Sequence, residues 1–327
     1  MDELAAQAQE RPTARAVTTP ALVSSRVVDN LKRVIHAPDE TLELAVLCLL
    51  AEGHLIIEDF PGVGKTTLAK TLAKSVGCSF SRLQFTPDLL PSDVTGVNVY
   101  NQRSNEFEFR PGPVFTNLLL VDEINRASPK TQTALLECMQ EHQVTVDGVS
   151  YQLERPFMVM ATQNPIEYEG TYPLPEAELD RFTMRISIGY PPLAEEARML
   201  VEQTSDEPLE ALEPVVSAGD VLAATEDARR VYVEESLNRY VVALLRHTRS
   251  ESRLYLGASP RAGIALLRVA KARAFAEGRD YVAPNDIKAV APAVLAHRLI
   301  IAPEARSSGL DAVGIVEDVV DRTPVPV

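Results

Sequence analysis

His54-Leu55-Ile56-Ile57-Glu58-Asp59-Phe60-Pro61-Gly62-Val63-Gly64-Lys65-Thr66-Thr67 decides the fold. Its apolar start is a buried strand, its glycines make a tight turn, and a helical string follows at 68–76. In that order the turn and the helix start aim backbone N–H groups at one point, which is how a loop holds phosphate. Gly62 and Gly64 let the backbone approach the anion, with Pro61, Val63 and Thr67 completing the loop. Lys65 reaches the terminal phosphates and the Thr66 hydroxyl can ligate Mg²⁺. The pattern G-x-x-x-x-G-K-[ST] asks for glycine where Asp59 stands; Pro61-Gly62 is expected to supply the turn instead.

Outward from this loop, short apolar runs at 54–57, 80–85, 118–121, 157–161 and 184–188 alternate with helical patterns. Strands alternating with helices predict an α/β fold with a parallel sheet covered on both faces. The run Leu118-Leu119-Leu120-Val121 ends in Asp122-Glu123. Asp122, at the carboxyl end of its strand, can hold Mg²⁺ through the ion's water shell, and Glu123 can act as base on an attacking water. Alone, the pair is equally a strand followed by a helix cap; the phosphate loop upstream makes it specific. Asn164, where the next strand stops before Pro165, either orients a water near the γ-phosphate or is a turn asparagine.

The chain has 327 residues, of which 46% are hydrophobic, enough for about two domains with real cores. Residues 1–22 read as a mobile leader, with organised sequence near Val27, an α/β core carrying the phosphate loop over 23–190 and a smaller all-α domain over 191–327. The texture changes at Pro191-Pro192, after which helical strings run over 194–203, 234–247, 260–277 and 285–298. No apolar stretch approaches the roughly 20 residues of a spanning helix, and Asp2 and Glu3 stand where a secretory signal carries basic residues. The expectation is a cytoplasmic chain with no direct membrane insertion. Cys48, Cys78 and Cys138 form no close pair and are expected to be small buried hydrophobes. A formal net charge of -14 argues against nucleic acid as the driving partner, without excluding a local basic groove.

Gly62-Val63-Gly64-Lys65-Thr66, Asp122-Glu123-Ile124-Asn125-Arg126-Ala127, Ala161-Thr162-Gln163-Asn164-Pro165, Leu174-Pro175-Glu176-Ala177 and Leu179-Asp180-Arg181-Phe182 resemble the successive signatures of the MoxR family of AAA+ ATPases. Gly257-Ala258-Ser259-Pro260-Arg261 and Val290-Ala291-Pro292-Ala293-Val294-Leu295 extend the likeness toward the carboxyl end. His36-Ala37 departs from the Val-Gly often found before the first helix. The resemblance implies a P-loop AAA+ nucleotide-binding domain with a helical lid, assembled into a homo-oligomeric ring, usually a hexamer, with ATP and Mg²⁺ between neighbours. It gives Asn164 the first sensor role and makes Arg181 an arginine finger for the adjacent subunit. Arg261 becomes the second sensor. The residues support that placement, because Ser259 suits an N-cap, Pro260 the first helical position, and a guanidinium in the first turn suits a phosphate.

Two alternating stretches, 94–109 and 143–151, read as β-hairpins, the second turning at Asp147-Gly148. They resemble inserts through which relatives touch clients. In the first, Tyr100, Phe107 and Phe109 lie near the arms, some of them are expected to pack against the body, and Gln102-Arg103-Ser104-Asn105 is expected to be the free polar tip. The resemblance implies a chaperone-like remodeller of a protein client, often one with a von Willebrand factor A domain. A nucleic-acid motor or loader would need basic hairpin tips, and these tips offer only Arg103. A scaffold with little turnover would not need Glu123, Asn164 and Arg181 together.

Overall fold

The computed structural model describes residues 20–164, 171–191, 193, 196 and 208–325. Helix α1 (Pro20–Lys32) begins earlier than the sequence pattern placed organised structure, inside the stretch read as leader. Val23, Val27, Val28 and Leu31 are buried along it, the recurrence of an amphipathic helix, so the helix extends as far as that stripe does. Helix α2 (Asp39–Leu50) follows, and both helices pack against carboxyl-terminal helices in one continuous apolar cluster.

The core then runs through β1 (Leu55–Glu58), α3 (Lys65–Ser75), β2 (Phe80–Gln84), α4 (Pro91–Thr95), β3 (Gly96–Asn101), β4 (Glu106–Pro111), β5 (Leu118–Asp122), α5 (Pro129–Glu141), β6 (Gln143–Val146), β7 (Val149–Gln152), β8 (Met158–Gln163), α6 (Glu176–Leu179) and β9 (Met184–Ile186). Five strands form a parallel sheet in the order β2-β5-β8-β1-β9. Alternate side chains leave opposite faces of a strand, and the core divides accordingly. Leu55, Ile57, Leu118, Leu120, Met158 and Met160 join one cluster, with α1, α2, α3 and the lid. Ile56, Leu119, Val121, Val159 and Ala161 join the other, with α5. Burial on both faces is why these runs read as continuously apolar.

The hairpins form as their patterns predict. In β6–β7 both turn residues have positive φ, Asp147 at 50° and Gly148 at 82°, the geometry that favours Asp-Gly. Of the three aromatics near the arms of β3–β4, Phe109 is the one that packs. Phe109 stacks on Tyr151 of the second hairpin at 4.0 Å and meets Phe115 edge-on. Tyr100 and Phe107 pair with each other at 5.3 Å and stay outside, 49% and 71% exposed. The Phe109 stack and the hydrogen bond that Asn98 donates to Asp147 at 2.7 Å tie the two hairpins together, and the other two rings are left on the surface.

The carboxyl-terminal part is built from helices Ala218–Arg230, Glu235–Ser250, Pro260–Ala276, Pro284–Leu295 and Ala312–Arg322, all following the apolar periodicity. The string at 194–203 lies almost wholly outside the described residues. This part is not purely helical: Leu254–Leu256 and Ile300–Ile301 form a short antiparallel ladder. Cys48 and Cys138 are buried and Cys78 is only half-buried; burial raises the Cys138 thiol to about 12 and the Cys78 thiol to about 11. Among the described residues no helix is long and apolar enough to cross a membrane.

Candidate active site

In a parallel sheet, ligands bind beyond the carboxyl ends of the strands, where the strand order reverses. Here β1 lies between β8 and β9, and the loop after it turns through Gly62 (φ 86°) and Gly64 (φ 91°) into α3. Glycine is required at both by the positive φ alone, since a Cβ at either would meet nothing within 4 Å. The crest of the loop is therefore open toward a ligand. Beside it lies a cavity of about 360 Å³ lined by Pro61, Gly62, Gly64, Lys65, Thr66, Thr67, Arg82, Gln84, Asp122, Glu123, Thr162 and Asn164. Phosphate-loop residues, both strand-end acids and Asn164 thus share one space. Val63 packs inward against the core, and Arg181 and Arg261 do not line the cavity.

Asp122 is buried at the end of β5, where both carboxylate oxygens accept hydrogen bonds: Oδ2 from Arg82 Nε at 2.6 Å and Oδ1 from the Thr162 hydroxyl at 3.1 Å. The Thr162 oxygen accepts in turn from the Glu123 N–H at 3.0 Å, tying β8 to the turn after β5. Glu123 adopts a left-handed conformation, φ 56° and ψ 52°, unusual for a residue with a Cβ. Such strain, roughly 1–3 kcal/mol, persists where the surroundings enforce it and is concentrated at functional sites. The Glu123 carboxylate accepts from Arg126 at 3.0 Å. Lys65 donates to the carbonyls of Asp59 and Gln163, the latter at 3.4 Å.

No cluster of three or more metal-ligating side chains exists among the described residues. That donor set fits Mg²⁺, which keeps several waters and needs only one or two protein oxygens beside phosphate. Thr66 and Asp122 are such oxygens, and the two bonds already made by Asp122 leave water-mediated contact as its natural mode.

Asp59 takes a role that the sequence pattern did not reveal. Its φ is not positive, so glycine is unnecessary there. Its side chain crosses to the end of β9: Oδ2 accepts from the Ser187 hydroxyl at 2.9 Å and from the N–H groups of Ile188 at 2.6 Å and Gly189 at 2.7 Å. Oδ1 accepts from the Phe60 N–H at 2.9 Å. Burial disfavours its charge, but the N–H of Gly189 and the other donors outweigh this and hold the carboxyl below its ordinary range. Next to this anchor Phe60 and Tyr190 stack at 5.8 Å. Arg82 was likewise not singled out from the sequence, since its partner lies on another strand.

Arg261 occupies the first turn of helix Pro260–Ala276, whose Ser259 cap accepts from the Ala262 N–H at 3.2 Å. It is exposed and close enough to Arg298 to act on its charge. Arg181 is half-buried, with Nη1 buried and lacking a hydrogen-bond partner among the described residues. A larger cavity of about 850 Å³, lined among others by Glu52, Arg229, Tyr232, Arg268 and Lys271, lies away from the loop and holds none of this chemistry.

A phosphate loop, an acid pair at the neighbouring strand end, and a helical lid together define a P-loop AAA+ ATPase. The family described as "ATPase family associated with various cellular activities (AAA)" matches residues 54–184, and an AAA lid domain matches residues 246–319. The chain is 49% identical to the YeaC protein of Bacillus subtilis, over 92% of this chain and 94% of that one. It is 41% identical to the chaperone MoxR1 of Mycobacterium tuberculosis, over 98% and 88%. A crystal structure from Cytophaga hutchinsonii assigned as an ATPase superposes with a TM-score of 0.87 at 40% identity, covering 94% of this chain and 96% of that one. The chain belongs to the MoxR family of AAA+ ATPases.

Proposed function

We propose that the protein hydrolyses ATP at the phosphate-loop cavity, at interfaces of a homo-oligomeric ring, usually a hexamer in this family, and uses the cycle in the cytoplasm to remodel a protein client. The observation that carries the reading is the meeting of Lys65, Thr66, Asp122, Glu123 and Asn164 in one cavity at the carboxyl edge of the sheet. Lys65 and the loop N–H groups bind the phosphates. Glu123, released from Arg126, takes the proton of the attacking water, and Asn164 orients that water. Thr66 directly and Asp122 through water would hold Mg²⁺, which neutralises charge developing on the phosphates. Arg181, outside its own subunit's cavity, is the arginine finger for a neighbour, and Arg261 reaches the phosphates when the lid closes.

The paired hairpins are the client surface. Their exposed Tyr100 and Phe107 give it apolar reach beside the polar turn 102–105, and a von Willebrand factor A domain protein is the client class suggested by the family. A single arginine at that tip gives nucleic acid little electrostatic purchase.

Mixing subunits tests the interface. Arg181→Ala alone should cut hydrolysis on the order of 10³ or more while ATP still binds. Glu123→Gln alone should also be inactive. Mixed rings contain interfaces where an intact Glu123 faces an intact Arg181, so activity should return on mixing. No recovery in verified mixed assemblies refutes action between subunits.

A further inference from the structure

Arg298 lies at the end of the 3-10 turn Ala296–Arg298, with its side chain only 3% exposed. Its guanidinium donates to Asp180 Oδ1 at 2.6 Å, to the Phe182 carbonyl at 2.6 Å, to the Thr183 carbonyl at 3.1 Å and to the Asp180 carbonyl at 3.3 Å. A further bond goes to the Val294 carbonyl within its own part of the chain. A buried guanidinium is tolerated only when paired and saturated in this way, so the lid grips the stretch 180–183 through bonds that cannot be lost one at a time without exposing charge. The other oxygen of Asp180 accepts from the Ser259 hydroxyl at 3.0 Å, and the same hydroxyl caps the helix whose first turn carries Arg261. Arg181 lies inside this stretch. On its far side Phe182 is fully buried in the core cluster and the Thr183 N–H donates to the His54 carbonyl at 2.8 Å.

The stretch is thus held to the core by the Phe182 ring and the Thr183 N–H, and to the lid by the Asp180 side chain and by the Phe182 and Thr183 carbonyls, with Arg181 between Asp180 and the core ties. We infer that Asp180 is a positioning residue: through Ser259 and Arg298 it couples the orientation of the lid over a subunit's own nucleotide to the aim of Arg181 at the neighbour's nucleotide. The inference rests on the reading of Arg181 as a finger acting between subunits and of Arg261 as a sensor for its own site. Lid rotation that brings Arg261 toward phosphate moves Ser259, the first residue of that connection. Asp180 and the carbonyls bonded to Arg298 follow, while the buried Phe182 ring and the Thr183 N–H hold the stretch to the core, and Arg181 turns. Neither arginine need touch the other for the two sites to communicate. Each biases the same two-anchor segment, which is the physical element that coupling requires.

Ser259 separates this role from fold support, because its substitution leaves the buried Arg298–Asp180 pair in place. Ser259→Asp keeps a good helix cap but replaces the donor facing Asp180 with a second carboxylate; Ser259→Thr keeps both cap and donor. The expected result for Ser259→Asp is a fall in kcat of about tenfold to a hundredfold, in the range produced by small misplacements of catalytic groups. ATP affinity and thermal midpoint should stay near wild type, and Ser259→Thr should retain activity. The decisive readout is mixing with Glu123→Gln subunits. The defect of Ser259→Asp lies in the finger it presents, so a Glu123→Gln neighbour replaces that finger and activity recovers, as it does for Arg181→Ala. Recovery for Arg181→Ala without recovery for Ser259→Asp places the defect in the variant's own site and overturns the coupling while sparing the finger. Failure of both mixtures overturns the finger reading and the coupling with it.

Discussion

Asp59→Gly restores the glycine that the phosphate-loop pattern asks for, and it is expected to damage the protein. The wild-type carboxylate is buried and accepts four hydrogen bonds, from the Ser187 hydroxyl and from the N–H groups of Ile188, Gly189 and Phe60, at 2.6–2.9 Å. Bonds to a charged acceptor contribute about 1.5–3 kcal/mol each, so simple addition would give roughly 6–12 kcal/mol. That sum overcounts, because removing the carboxylate also relieves its desolvation and water can enter beside the freed donors. A net loss of about 3–5 kcal/mol is the expectation, in line with breaking a buried charged network. The melting midpoint should fall by roughly 6–20 °C, at about 2–4 °C per kcal/mol for domains of 150–250 residues. Thermal unfolding by circular dichroism, with binding of a fluorescent ATP analogue in parallel, measures both consequences; the loop loses its tie to the end of β9, so affinity should fall as well. Asp59→Asn, which keeps one acceptor oxygen but presents an NH₂ to donors, should lie between. If Asp59→Gly is as stable as wild type and binds nucleotide equally well, the anchoring role is wrong.

Lys65→Ala should abolish ATP binding, as read by the same fluorescent analogue, because the cation facing the phosphates is removed; retained affinity would refute its role. Glu251 gives a pH prediction. Hydrogen bonding from Arg253, opposed by burial and aided by Arg322, lowers its pKa from 4.5 to about 2. A depressed folded-state pKa contributes stability that is complete above pH 4.5 and is lost as pH falls through about 2. The thermal-midpoint gap between wild type and Glu251→Gln should therefore be constant near neutrality and narrow from pH 4.5 downward; a gap that widens there would contradict the assignment. Phe107→Ser should leave folding and basal ATPase nearly unchanged, since the ring is 71% exposed, but should remove stimulation by a client. Neither DNA nor RNA should stimulate ATPase at physiological salt, and robust stimulation would favour a nucleic-acid motor.

What could be read from the sequence depended on how far apart the interacting residues are. The inner strands β1, β5 and β8 were legible because each is a short apolar run bounded by breaks, while the edge strands β2 and β9 carry polar residues among apolar ones; Ser259-Pro260 marks a helix start by local capping. Asp147-Gly148 marks its turn for the same local reason. Lys65, Thr66, Asp122, Glu123 and Asn164 are legible as residues, but their meeting in one cavity follows only from the strand order. Asp59 reads as a defect in a motif because Ser187, Ile188 and Gly189, which supply three of its four hydrogen bonds, are more than a hundred residues downstream. Arg298 reads as the polar end of a helix, and nothing in its neighbourhood announces Asp180. The outward placement of Tyr100 and Phe107 was likewise hidden, because it depends on Tyr151 in the other hairpin taking Phe109 alone.

The measurement that bears most directly on the account is single-turnover hydrolysis of ATP by Glu123→Gln in the presence of Mg²⁺. Glu123 lies in a strained left-handed turn at the edge of the phosphate cavity, and amide replacement leaves Lys65, Thr66 and Asp122 in place. The account predicts that ATP binds as in wild type and that hydrolysis slows by about 10²–10⁴, the usual contribution of a positioned general base. Hydrolysis at the wild-type rate would contradict it.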